Sequence, residues 1–120
     1  MPRSSATNHE LARIGLLASL PGETLAELGK RMEREELAPG TVVVREGEPG
    51  DRFYVVFAGM LSASNEVGRS MLRPGDYFGE VALAMDVPRT ATVTAVTPAV
   101  VASCDRATFD ELLRPLFAED

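Results

Sequence analysis

Residues 78–93 read FGEVALAMDVPRTATV. Glu80 and Arg89 stand nine residues apart, on either side of a short apolar run that can form one or two helical turns. Gly79 precedes the run, so backbone can approach a ligand there with no Cβ in the way. The first turn of a helix leaves N–H groups unpaired and partly positive, which makes a seat for phosphate. Arg89 adds a planar guanidinium to that seat, and Glu80 can accept hydrogen bonds from a sugar hydroxyl. Phosphate donors beside a ribose acceptor describe a site for a nucleotide monophosphate.

The chain around this segment is one domain. At 120 residues it is long enough for a single core and too short for two of ordinary size. Apolar residues make up 45% and charged residues 25%, the balance of a soluble globular protein. No apolar stretch approaches the roughly 20 residues of a membrane span. Met1–Asn8 has no apolar signal core, so a short disordered tail over 1–9 and a cytoplasmic protein are expected, the latter free or as the cytoplasmic part of a membrane protein.

A net charge of −6 disfavours nucleic acid and anionic membrane surfaces as partners. Lys30 is the one lysine against eleven arginines, a skew that points to a GC-rich, bacterial genome. Cys104 is the only cysteine and ends the apolar run Val100-Val101-Ala102, so it reads as a buried, inert thiol. His9 is the only histidine and falls in the expected tail. One histidine and one cysteine provide neither a zinc cluster nor a Ser-His or Cys-His pair.

From Glu10 to about Leu37 the pattern reads helical. Leu11, Ile14, Leu17 and Ala18 recur at three and four residues, Pro21-Gly22 interrupts, and Leu25, Leu28 and Met32 form a second stripe. From Leu37 onward the chain changes to short β-branched or apolar runs: 41–44, 53–57, 60–64, 70–72, 92–95 and 100–103. Turn signals between them, among them Gly40, Gly47, Gly50, Gly59 and Gly75, indicate an antiparallel roll or barrel over 37–104. Asp105 can cap a last helix over 105–120, with Phe109, Leu112, Leu113, Leu116 and Phe117 on its apolar side. Pro115 should kink that helix, because it removes the hydrogen bond to Glu111.

Phe78, Gly79, Glu80, Ala82, Leu83, Pro88, Arg89, Thr90, Ala91 and Thr92 together resemble the phosphate-binding cassette of the cyclic nucleotide-binding domain family. That family includes the catabolite activator protein, kinase regulatory subunits and cyclic nucleotide-gated channels. The resemblance covers about residues 11–117 and implies an α+β fold. Its parts would be an antiparallel β-roll of the double-stranded β-helix or jelly-roll type, N-terminal helices, a short phosphate-binding helix within the cassette 78–92, and a C-terminal helix. In the family a longer helix follows and closes over the base; with the sequence ending at Asp120, that lid is expected to be truncated or absent.

Carried over residue by residue, the resemblance assigns Arg89 to the equatorial oxygens of a cyclic phosphate. Backbone N–H groups of Val81, Ala82 and their neighbours complete the cradle. Glu80 takes the ribose 2′-hydroxyl with help from the Gly79 backbone, and Phe78 and Ala91 flank the site within the motif. Thr90 is the position where the family contacts a guanine amino group. Bacterial cyclic AMP binders also carry Thr or Ser there, so cyclic AMP is favoured over cyclic GMP. Ala63 and Leu72, from facing strands, are candidates for apolar contact with base and sugar. Some kinase-type relatives carry an acidic residue where this chain has Phe57, so a relay from the arginine to that strand is not expected.

Two plainer readings compete. Arg89 could be a surface arginine paired with Asp86, and Glu80 a solvated helix charge. The implied function is a non-catalytic sensor that binds cyclic AMP or cyclic GMP and controls an attached or partner effector such as a channel, transporter, kinase or regulator. An effector domain or a homodimer would be its macromolecular partner. No cofactor or metal is implied. The alternative is a roll of the same kind that no longer binds ligand and serves as a scaffold or dimer module.

Overall fold

The computed structural model describes residues 6–117. Its strands are β1 (Glu33–Leu37), β2 (Val42–Val44), β3 (Arg52–Ala58), β4 (Leu61–Ser64), β5 (Arg69–Leu72), β6 (Tyr77–Phe78), β7 (Thr92–Ala95) and β8 (Ala99–Asp105). They form two four-stranded sheets, ordered β1-β8-β3-β6 and β2-β7-β4-β5, with antiparallel pairing throughout. Helices α1 (Asn8–Ala12) and α2 (Gly22–Arg31) precede the sheets, α3 (Glu80–Ala84) lies between β6 and β7, and α4 (Arg106–Thr108) follows β8. The architecture is the α+β roll expected from the sequence.

The period of two in β3 divides the molecule. Phe53 and Val55 face a cluster with Leu11, Ile14, Leu17, Leu28, Phe109 and Leu113, where the helices cover the first sheet. Tyr54 and Val56 face the space between the sheets, with Leu61, Phe78, Val93 and Val101. β8 alternates in the same way, sending Ala102 and Cys104 to the helical side and Ala99 and Val101 to the inter-sheet side. The two strands exchange their ladder from Arg52↔Asp105 to Ala58↔Val100. Phe53 has no exposed surface and meets Tyr77, Phe109 and Phe117 at ring centroid distances of 5.6–6.0 Å.

Two expected boundaries are corrected. The tail ends earlier than residue 9: Ala6 is buried, and Thr7 caps α1 in a reciprocal box with Glu10, so His9 is an exposed helical residue. Residues 1–5 lie outside the described residues. The helical segment ends at Arg31, because Met32 turns to extended backbone (ψ 146°) and Glu33–Leu37 pairs with β8 from Glu33↔Ser103 to Leu37↔Ala99. Glu and Arg are good helix formers, and the ladder partner that overrides their preference lies some 65 residues downstream. β1 is an outermost strand, so its charged side chains can stay in water. The two-residue β6 carries too little pattern to be seen in the sequence.

The last helix is capped as expected, with the Asp105 carboxylate accepting from the Thr108 N–H at 2.9 Å. It does not run on as an α-helix: Phe109–Leu113 is a π-helical turn and Arg114–Phe117 a 3₁₀ turn. Pro115 lies in the second of these, where its missing N–H is tolerated. The expected helix over 118–120 lies outside the described residues.

Two outcomes test this core. Phe53→Ala should lower unfolding free energy by about 3–5 kcal/mol in urea denaturation, with the slope unchanged. Cys104 is fully buried and its thiol is pushed up to about 12 by burial, with Asp105 adding to the effect. A disulfide reagent at pH 8 should therefore modify it only at the rate of unfolding, and denaturant should make the reaction immediate.

Candidate functional site

β6 ends at Phe78, and the chain turns into α3 through Gly79, whose φ of 94° is a left-handed conformation. A Cβ on Gly79 would also fall 2.8 Å from both the Arg52 carbonyl oxygen and Arg89 Nη1. Glycine is thus required there twice over, by backbone and by space. α3 is a single short helix over Glu80–Ala84, so none of the N–H groups in its first turn has an intrahelical partner.

Arg89 is only 7% exposed. Its Nη1 donates to the Gly79 carbonyl at 3.2 Å and its Nη2 to the Arg52 carbonyl at 3.0 Å. The guanidinium carbon lies 5.9 Å from the centre of the Tyr54 ring, and Tyr54 stacks on Phe78 at 4.7 Å with the planes 2° apart. Its backbone is held in both directions by one turn: Gly47 N–H donates to the Arg89 carbonyl and Arg89 N–H to the Glu48 carbonyl, each at 2.9 Å. Gly50 provides the room, since a Cβ there would lie 2.6 Å from the guanidinium carbon and 2.8 Å from the Ala82 Cβ.

Among the described residues, Arg89 makes no ion pair with a carboxylate within 4 Å. Asp86, the partner of the plainer reading, is exposed and pairs instead with Arg106 at 3.6 Å. Arg89 is therefore not a surface arginine. Burial lowers its affinity for its proton, while Tyr54, Asp51 and Glu80 oppose that effect from a distance. Glu80 is shifted in the matching sense: burial raises its pKa above the usual carboxylate value, against the pull of its own backbone N–H and of Arg89. Glu80 is thus not a freely solvated helix charge. A buried cation with no adjacent anion, beside a carboxylate short of solvent, is an arrangement that a ligand carrying both phosphate and hydroxyl groups would complete.

The cavity between these groups has a volume of about 180 Å³. Phe78, Gly79, Glu80, Val81, Ala82, Arg89, Thr90 and Ala91 all line it, and Ala63 reaches it from β4. Leu72 stands apart: on β5 it pairs with Leu61 of β4, packs against the inter-sheet cluster, and is not in the lining. Ala63 and Leu72 belong to neighbouring strands but not to opposite positions, since Ala63 pairs with Ser70 and with Val93.

Sequence reasoning passed over Val44, Tyr77 and Val93, which also line the cavity. Val93 was within reach, because it follows Ala91 at the strand period of two. Val44 pairs with Val93 across β2 and β7, a relation that only the folded register supplies. Gly50 read as a turn residue, although its φ is not positive and its function is to leave space for Arg89.

The model of the cyclic nucleotide-binding domain matches residues 34–115. The chain belongs to that family. It is 39% identical over 118 residues, 95% of its length, to a cAMP-dependent protein kinase regulatory subunit of Yarrowia lipolytica, and spans 31% of that relative. It is 42% identical over 108 residues, 88% of its length, to the corresponding subunit of Eremothecium gossypii, and spans 24% of it. The chain thus covers about a third or less of these curated relatives. Among solved structures, the regulatory domain of Toxoplasma gondii PKA with cAMP superimposes with a TM-score of 0.86 at 29% identity, over 91% of this chain and 44% of that one. These eukaryotic relatives correct the bacterial source expected from the arginine-rich composition.

Glu80 gives this cyclic nucleotide-binding domain a measurable pH dependence. Its folded pKa is raised above the ordinary 4.5, so its contribution to stability is intact below that pH and is lost as the pH rises through the folded value. Glu80→Gln should therefore melt higher than wild type at pH 7 without ligand, and the difference should vanish on acidification below about pH 4.5. A constant difference across that range would mean that the ionised carboxylate carries no burial penalty.

Proposed function

We propose that this chain is a non-catalytic regulatory domain that binds cyclic AMP in preference to cyclic GMP and so controls a protein kinase partner. The observation that carries the reading is Arg89: a buried guanidinium, held by two carbonyls, beside Glu80 and without a carboxylate counter-charge among the described residues.

In this reading the equatorial phosphate oxygens pair with Arg89, and the first-turn N–H groups around Val81 and Ala82 complete their coordination. The phosphate supplies the anion that the folded protein withholds, so binding relieves the burial penalty on the cation. Glu80 accepts from the ribose 2′-hydroxyl, and the Gly79 backbone lies against the sugar. Val44, Ala63 and Val93 offer the apolar wall for sugar and base. Thr90, exposed at the edge of the cavity, is the residue placed to sense the purine substituents.

A purely binding role is supported by the acid–base inventory. Among the described residues Glu80 is the only carboxylate in the cavity lining, and no histidine, cysteine or lysine lines the cavity with it. Among effectors, the kinase is favoured because the Yarrowia and Eremothecium relatives are regulatory subunits of a cAMP-dependent kinase. A cytoplasmic setting is part of the proposal; among the described residues no helix is long and apolar enough to cross a membrane.

Titration calorimetry with cyclic AMP should give saturable 1:1 binding, weaker with cyclic GMP. Arg89→Ala should cost about 2–5 kcal/mol of binding free energy, a factor of about 30 to several thousand in Kd. A change below about threefold would overturn the assignment of Arg89. Absence of heat with either nucleotide in the folded wild-type chain would favour the scaffold reading.

A further inference from the structure

α3 is short enough for its two ends to be considered together. At its C-terminal end the carbonyls of Val81 and Ala82 accept from the N–H groups of Met85 and Val87, at 3.0 and 3.3 Å. The next two carbonyls accept from side chains far along the chain. The Leu83 carbonyl accepts from Arg106 Nη1 at 3.4 Å and from Arg114 Nη2 at 3.1 Å, and the Ala84 carbonyl from Arg114 Nη1 at 3.2 Å. Arg106 Nη2 also donates to the Gly50 carbonyl at 3.2 Å, on the residue that leaves room for Arg89. Asp110 orients Arg114 through Nε and Nη2 at 3.0 and 2.6 Å.

The π-helical turn sets this contact. Arg114 N–H closes onto the Phe109 carbonyl, five residues back. One residue added to a turn rotates everything beyond it by about 100° relative to an α-helix. In an unbroken α-helix from Arg106 onward, Arg114 would point well away from the direction it takes in the folded chain. The guanidiniums also place positive charge against the carbonyl end of α3, the favourable sense for its dipole.

We propose that Arg106 and Arg114 are positioning residues: they clamp the carbonyl end of α3, and thereby hold its opposite end and Gly50 in the geometry of the nucleotide seat. The clamp makes the seat and the C-terminal helical segment one mechanical unit. Losing the contact frees α3 to shift, and a shift of α3 pulls on Arg114 and on the π-helical turn. The consequence for nucleotide affinity rests on the proposed cyclic nucleotide binding; the consequence for the ligand-free chain does not.

The test uses the full 120-residue chain with two readouts. Amide exchange without ligand should show Met85 and Val87 exchanging about tenfold or more faster in Arg114→Ala than in wild type, with β3 amides unchanged. Arg114→Lys, which can still donate to a carbonyl, should restore part of the protection. Arg31→Ala is the control, because it removes another anchor of the same C-terminal segment, the 2.8 Å ion pair with Glu111, without touching α3. Unchanged exchange in Arg114→Ala, or equal acceleration in Arg31→Ala, would overturn the clamp. Calorimetry with cyclic AMP should show affinity lowered about fivefold or more in Arg114→Ala and not in Arg31→Ala. Equal affinity in wild type and Arg114→Ala would overturn the link between clamp and seat. Should wild type itself fail to bind, the nucleotide reading falls, and the exchange arm alone decides whether the clamp exists.

Discussion

Burying the Arg89 guanidinium imposes a set of demands that much of the site exists to meet. A cation removed from water needs hydrogen-bond acceptors, and the carbonyls of Gly79 and Arg52 provide them. It needs room, and only the lack of side chains at Gly50 and Gly79 leaves that room. It needs a fixed backbone, and the turn at Gly47-Glu48 bonds it from both sides. Tyr54 adds a ring face, itself braced by Phe78. A surface arginine would require none of this. Among the described residues the charge has no carboxylate within ion-pairing distance, and burying it costs the folded protein free energy.

The sheets bring these parts together through β3. Arg52 contributes its carbonyl to Arg89, Tyr54 its ring, and Phe53 and Val55 reach through to the helical core on the other side of the same strand. Few residues separate the site from the middle of both cores. Phe53 and Val55 thus tie the helical cluster to the strand that carries Arg52 and Tyr54.

The site was legible in the sequence because its parts are consecutive. Ten motif positions fall between Phe78 and Thr92, and eight of the cavity's lining residues come from that one stretch. Its burial was not legible, since whether Arg89 lies under a ring or on the surface depends on Tyr54 and Gly50, more than 30 residues earlier. Leu72 shows the opposite limit: an apolar strand residue of suitable type whose register sets it opposite Leu61 instead of in the lining. Glu33–Leu37 misled because composition speaks for a helix while the decisive partner, β8, is distant. The π-helical turn leaves no periodic signature of its own; Pro115 signalled a disturbance without revealing its form.

The same Glu33–Leu37 segment has a meaning for the life of the protein in a crowded solution. An outermost strand exposes a row of unpaired backbone groups, to which a strand from another molecule can attach. β1 carries Glu33, Glu35 and Glu36 along that border, all exposed. A second copy arriving there would bring three further glutamates toward these three, which is unfavourable. The residues that disguised this strand as a helix thus also put charge along the outer border of the first sheet, a feature that disfavours edge-to-edge pairing.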